Sequence, residues 1–146
     1  MTFRDVRGER SLLAMARRLA DLWIPSAVGS ASFVNQTAAL DAIWERFRTT
    51  PSLFPLLDEL TSNRQSPSQR GPTEEELCLC LELFQHMENV FLDLRLDDFW
   101  SHPDNRGWVV MFRMWAKSPT FRSSWQRSRE LFGSRFVHFC QQRLGI

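Results

Sequence analysis

Residues 73–94 read TEEELCLCLELFQHMENVFLDL. Thr73, followed three positions later by Glu76, forms a capping-box pair. Glu74, Glu75 and Glu76 fall where the positive end of a helix favours anions. Behind them Leu77, Cys80, Phe84, Met87, Phe91 and Leu94 recur in alternating steps of three and four, flanked by Leu83 and Val90. That spacing holds one apolar stripe along a single side of a long helix. A strand needs alternation at every second residue, and no such pattern competes here.

The neighbouring segments repeat the helical signal. Downstream, Leu96–Asn105 contains Pro103 and several Asp, so it reads as a turn-rich connection with Phe99 and Trp100 tucked under it. Gly107–Ser118 is apolar nearly all round and is expected to be the most buried helix. Ser118-Pro119 restarts the chain as a helix with Phe121, Trp125 and Phe132 inward. Gly133 is the expected C-terminal stop, and Ser134 the expected cap of a last helix carrying Phe136, Val137, Cys140 and Leu144.

Upstream, Gly8–Trp23 reads as a first helix, ended by Ile24-Pro25. Ser26–Ser32 reads as a loop, and a second helix spans about Asn35–Arg48 with Leu40, Ile43, Trp44 and Phe47 inward. Thr50-Pro51 gives a cap with Pro at the first helical position, opening a short helix over Pro51–Leu60. Pro55 is tolerable there because it lies within about a turn of the start. Thr61–Pro72, TSNRQSPSQRGP, contains no apolar residue and reads as a linker. The expectation is an all-α, compact bundle of six or seven helices. N-terminal helices occupy 1–60, a polar linker 61–72 and a C-terminal helical core 73–146, joined in one domain.

Composition narrows the function classes. With 146 residues the chain is one domain in size, and its 43% hydrophobic content is too high for disorder. No apolar run approaches the length of a spanning helix, and the charged N-terminus lacks the apolar core of a secretory signal. Three Cys, an odd number, fit a reducing compartment, so the expected location is cytoplasmic. There are 12 Phe, 6 Trp and no Tyr, which excludes a catalytic tyrosine.

A net charge of +1 hides a segregation. Residues 73–104 hold nine acids against one base, whereas residues 105–146 hold eight bases against one acid. Three readings follow. The two segments neutralise each other or face water; the basic face meets an anionic partner; or the acidic face of one copy meets the basic face of another.

The chemical candidates are weaker. Cys78, Glu82 and His86 stack at i, i+4 and i+8 opposite the apolar stripe, but they make at most half of a metal site. Cys78 and Cys80 point apart, as do His138 and Cys140. The six Gly are scattered, so no phosphate loop is present. No catalytic, cofactor-binding or metal-binding residue is nominated. In the basic run that Arg106 opens, Arg113, Lys117, Arg122, Arg127, Arg129, Arg135 and Arg143 are the candidate surface for an anionic partner. Of these, Arg122 and Arg129 are expected to share a stripe. The helix from Gly8 to Trp23, with Arg10, Arg17 and Arg18 opposite leucines, is read as a bundle helix in preference to a peripheral membrane helix.

Several residues in the second half occur in a telling order. Phe84 and Glu88-Asn89-Val90-Phe91-Leu92 precede a turn with Trp100. Trp115, Ser118-Pro119-x-Phe121-Arg122-x-x-Trp125, Phe132 and Ser134-x-Phe136-Val137 follow. Over about residues 81–144 this resembles a group of uncharacterised bacterial all-helical proteins. The resemblance implies a helical fold of bacterial type and no particular activity. Many members carry a membrane helix before this region, and this sequence encodes none. Within the pattern, Glu88 lies at the edge of the apolar stripe and needs a partner, and Arg122 is the candidate for a clamp between helices. The function expected is a non-catalytic protein-interaction or assembly role, through a protein partner or self-association. The alternative is a small helical subunit that binds the nucleic-acid backbone through the Arg-rich C-terminal third. An enzyme of unknown type comes third.

Overall fold

A computed structural model describes residues 30–62 and 71–146. Seven α-helices and no strands occur among the described residues. They are α1 (Ser30–Thr49), α2 (Phe54–Ser62), α3 (Glu74–Asp93), α4 (Leu96–Phe99), α5 (Arg106–Trp115), α6 (Pro119–Ser128) and α7 (Ser134–Phe139). Short 3-10 turns precede α2 (Pro51–Leu53) and α5 (Pro103–Asn105), and a third follows α6 (Arg129–Leu131). A π-helical stretch, Cys140–Leu144, extends α7. The expected helix over 8–23 lies outside the described residues, as do residues 63–70 of the expected linker.

The central helix is α3. Its capping box forms as its sequence dictates: the Thr73 hydroxyl accepts from Glu76 N–H, and the Glu76 carboxylate accepts from Thr73 N–H. Helix α1 packs against one side of α3, and α6 packs against α3 as well. Cover from both neighbours widens the buried stripe. Leu79, Leu83, His86 and Val90 are buried beside Cys80, Phe84, Met87 and Phe91, while Leu77 at the N-terminal end is only half-buried.

One hydrophobic cluster runs from Leu40 on α1 to Cys140, so both sides of the 61–72 segment contribute to it. Aromatic rings form its framework. Phe84 meets Phe121 at 4.6 Å and Trp125 at 5.0 Å, and Phe91 meets Phe139 at 4.8 Å, within the range where edge-on and tilted pairs attract. Trp108, Trp115 and Trp125 are among the largest fully buried side chains.

Several sequence expectations change. Ser30–Ser32 belongs to α1 and not to a loop. Thr50 makes no side-chain cap; the segment it opens is a 3-10 turn, and α-helix begins only at Phe54. Thr61 and Ser62 complete α2, each hydroxyl bonding back to the carbonyl four residues earlier. Helix α5 is not apolar all round: Val110 is 55% exposed, on the same outward stripe as Arg106 and Arg113. Gly133 is no left-handed stop. It has φ −62°, ψ 141° and is itself the N-cap position of α7, with Ser134 already inside the helix. The left-handed glycine is Gly145, at φ 68° after the π-helical stretch.

Candidate functional site

The candidate surface is built mainly by α5, α6 and the C-terminal turn. Arg113, Lys117, Arg122, Arg127, Arg129, Arg135 and Arg143 are all exposed, but they are held differently. Arg113 and Arg143 converge on one ring, with guanidinium carbons 5.1 Å and 5.9 Å from the Trp100 centroid. Trp100 itself is 7% exposed and packs against Phe139. Arg135 pairs with Asp97 and lies over Phe91. That pairing holds the Asp97 carboxyl below its ordinary range. Arg127 lies in the last turn of α6 and Arg129 opens the following 3-10 turn, so the regular helical stripe expected for Arg122 and Arg129 is broken between them. The side chains of Lys117, Arg127 and Arg129 have no ion-pair or hydrogen-bond partner among the described residues.

Mutual neutralisation of the acidic and basic segments is slight. Among the described residues, Asp97–Arg135 is the one Asp/Glu–Lys/Arg pair that joins them. Elsewhere in the acidic segment, Glu82 pairs with Arg46 of α1, and Asp98 with Arg95 of its own segment.

The proposed clamp between Glu88 and Arg122 does not form. Glu88 Oε1 accepts from Gly133 N–H at 2.8 Å, and Gln85 approaches Oε2 at 3.4 Å. Arg122 donates instead to the Ala116 carbonyl at 3.1 Å and the Gly145 carbonyl at 2.8 Å. Each side chain ties separate parts of the chain together, but the partners are backbone groups. Glu88 fixes the entry to α7, and Arg122 fixes the end of α5 and the C-terminal turn to α6.

The polar face seen in Cys78, Glu82 and His86 also separates. Cys78 is exposed, Glu82 is drawn to Arg46, and His86 is buried against Trp108 with ring centroids 5.4 Å apart. Neither nitrogen of His86 has a partner among the described residues. Burial pulls its pKa down to about 4, so the ring is neutral at pH 7. Burial acts in the opposite sense on the thiols. It pushes Cys80 up to about 12, with the Ser124 hydroxyl opposing, and it raises Cys140 as well. A thiol so raised holds almost no thiolate at pH 7 and is a poor nucleophile. No group of three or more His, Cys, Asp or Glu among the described residues is placed to hold a metal ion.

One polar constellation has no counterpart in the sequence reading. Glu59 of α2 is 8% exposed and reaches the start of α6. Its Oε1 accepts from Ser118 Oγ at 2.6 Å and from Thr120 N–H at 2.8 Å, and its Oε2 accepts from Thr120 Oγ1 at 3.0 Å. The Ser118 hydroxyl in turn caps Phe121 N–H at 3.1 Å. A carboxyl group at a helix N-terminus meets N–H groups that have no partner within the helix, so this buried side chain is supplied with donors.

The chain matches no family model, no curated protein and no solved structure.

Function therefore has to be argued from the site alone. Sealed, unreactive thiols, an unionised histidine and a cap-bound carboxylate leave the interior equipped for packing. The cations of α5, α6 and the C-terminal turn lie on the outside. Among the described residues, no helix is long and apolar enough to cross a membrane.

Proposed function

We propose that this chain is a non-catalytic interaction or assembly protein of bacterial type that works in the cytoplasm by binding another protein. The observation that carries the reading is the fate of its reactive and aromatic groups. Phe47, Phe84, Phe91, Phe112, Phe121, Phe136, Trp108, Trp115 and Trp125 are fully buried, and Cys80, Cys140 and His86 are buried with them. Outside remain an acidic stretch, a basic stretch and isolated apolar side chains such as Leu92 and Leu131. Free thiols, with Cys78 exposed, suit a reducing compartment.

Two measurements test the proposal. In the folded protein a thiol reagent should titrate Cys78 rapidly, and Cys80 and Cys140 only after denaturation; rapid reaction of all three would reopen the catalytic reading. Affinity purification from the native host should then recover a stoichiometric protein partner. Its retention should fall when Arg122, Arg127 and Arg129 are replaced by Gln. Failure to recover any partner, together with a monomer in solution, would count against an assembly role.

A further inference from the structure

We propose that the outward face of α5, together with Arg143, is a docking surface for the phosphate backbone of double-stranded nucleic acid. Arg106, Val110 and Arg113 follow one another at i, i+4 and i+7 along α5, and Lys117 continues the line just past its end. All four are exposed. At a rise of about 1.5 Å per residue, the three cations span roughly 16 Å. Arg143 enters from the C-terminal turn and joins Arg113 over Trp100. Two guanidiniums held at one ring add to the positive potential of this face, which favours an anionic partner.

Of the carboxylates nearest in sequence, Asp97 and Asp98 are engaged elsewhere. Asp97 pairs with Arg135, and Asp98 with Arg95. Asp104 is turned toward His102, its carboxylate 3.6 Å from Nδ1, while its N–H donates to that nitrogen. None of Arg106, Arg113, Lys117 and Arg143 has an ion-pair partner among the described residues. Within the described residues the face is therefore a line of cations that no carboxylate pairs with.

Three features select a duplex over other anionic partners. Single strands need exposed rings on which bases stack, and the one ring in this face, Trp100, is buried beneath its two arginines. A protein partner needs large apolar or aromatic anchors at the centre of the contact, and the stripe offers only Val110. A membrane surface needs an apolar face that enters the lipid, and the same single valine is all that is present. Phosphates of a duplex advance about 3.4 Å per strand along the axis, so a line of this length meets several at once without reading bases.

The proposal goes beyond the assembly reading and stands or falls apart from it. It is tested by fluorescence anisotropy with a labelled DNA duplex of mixed sequence. For four phosphate contacts the log–log salt dependence should have a slope of about −3.5, so affinity falls on the order of 100-fold between about 50 and about 200 mM salt. The side chains of Arg106 and Lys117 make no hydrogen bond or ion pair among the described residues, so R106Q/K117Q should keep the melting temperature. It should reduce the slope to about −1.8 and weaken binding at least 10-fold at low salt. R127Q/R129Q carries the same charge change away from the α5 line and should retain most of the affinity. The proposal is overturned by absence of duplex binding at low salt, or by equal losses in the two variants. Tighter binding to a single strand or to anionic lipid vesicles than to the duplex overturns it as well. A protein partner still captured by R106Q/K117Q, with no duplex binding by the parent chain, would sink this inference and leave the assembly reading intact.

Discussion

Glu59 and His86 are both almost closed off from solvent, at 8% and 3% exposure, yet their surroundings are opposite. Glu59 accepts three hydrogen bonds at the N-terminal end of α6, while His86 has none and rests on the Trp108 ring. One site supplies its buried ionisable group with donors. The other keeps its own neutral by supplying nothing. The contrast shows that burial alone does not decide what an ionisable side chain contributes; the donors and acceptors waiting for it do.

The largest expected effect is at the satisfied site. Glu59→Ala leaves the Ser118 and Thr120 donors facing an empty space and removes the anion from the helix end. A loss of about 3 kcal/mol in urea unfolding is expected, since charge-assisted bonds contribute about 1.5–3 kcal/mol each and are not additive. Glu59→Gln keeps the shape but turns an N–H toward donors, so its loss should be intermediate. A Glu59→Ala protein within about 0.5 kcal/mol of the parent would break the comparison, because the cap would then be dispensable.

The unsatisfied site predicts a pH dependence of similar size and definite sign. The folded-state pKa of His86 is lowered to about 4 from an ordinary value of 6.5. Between those values the unfolded chain binds the proton more readily than the folded one. Stability is therefore full above pH 6.5, declines as pH falls through the window, and levels off below about 4. At about 1.4 kcal/mol per unit the total loss is roughly 3 kcal/mol. His86→Leu should flatten this part of the profile and, at pH 7, change stability by no more than about 1 kcal/mol, because it removes two unpartnered nitrogens along with the ring. An unchanged slope in His86→Leu would show that other groups carry the acid sensitivity.

The two sites also differ in how far the sequence reveals them. Thr73 and Glu76 are three residues apart, so their mutual cap is written locally and can be read directly. Glu59 and Ser118 are 59 residues apart, and nothing in the helical period of α2 distinguishes Glu59 from a solvent-facing acid. His86 was legible as a helical residue opposite the apolar stripe. That it is buried depends on Trp108 closing over it, which no single-helix pattern encodes. Six of the seven described α-helices and a shared aromatic core follow from the three-and-four spacing; α4 does not, because Leu96–Phe99 lies in a stretch that reads as a turn-rich connection. The 3-10 start at Pro51 does not, because a Thr-Pro pair opens either kind of helix. Most of the basic surface was legible residue by residue. The convergence of Arg113 and Arg143 on Trp100 was not, since it joins three segments distant in sequence.

Glu88 supplies an intermediate case between the two buried groups and the smallest predicted effect. It is half-buried and keeps one strong bond, to Gly133 N–H, where Glu59 keeps three. Glu88→Ala should therefore cost about 1 kcal/mol, with the backbone donor turning to water. A sequence reading pairs Glu88 with Arg122, so Arg122→Ala should couple to it; the geometry expects no coupling, because Arg122 holds the Ala116 and Gly145 carbonyls. Gly133 should couple instead. A Cβ there lies 3.1 Å from Glu88 Oε1, in a backbone conformation open to any residue. Gly133→Ala in the parent forces the carboxylate aside by a few tenths of an ångström and weakens the bond, for an expected loss of roughly 0.5 kcal/mol. In a Glu88→Ala background the same change should be neutral or slightly stabilising, because the unfolded chain loses glycine freedom and no clash remains. A double-mutant cycle that couples Glu88 to Arg122 and not to Gly133 would reverse this assignment and restore the side-chain clamp.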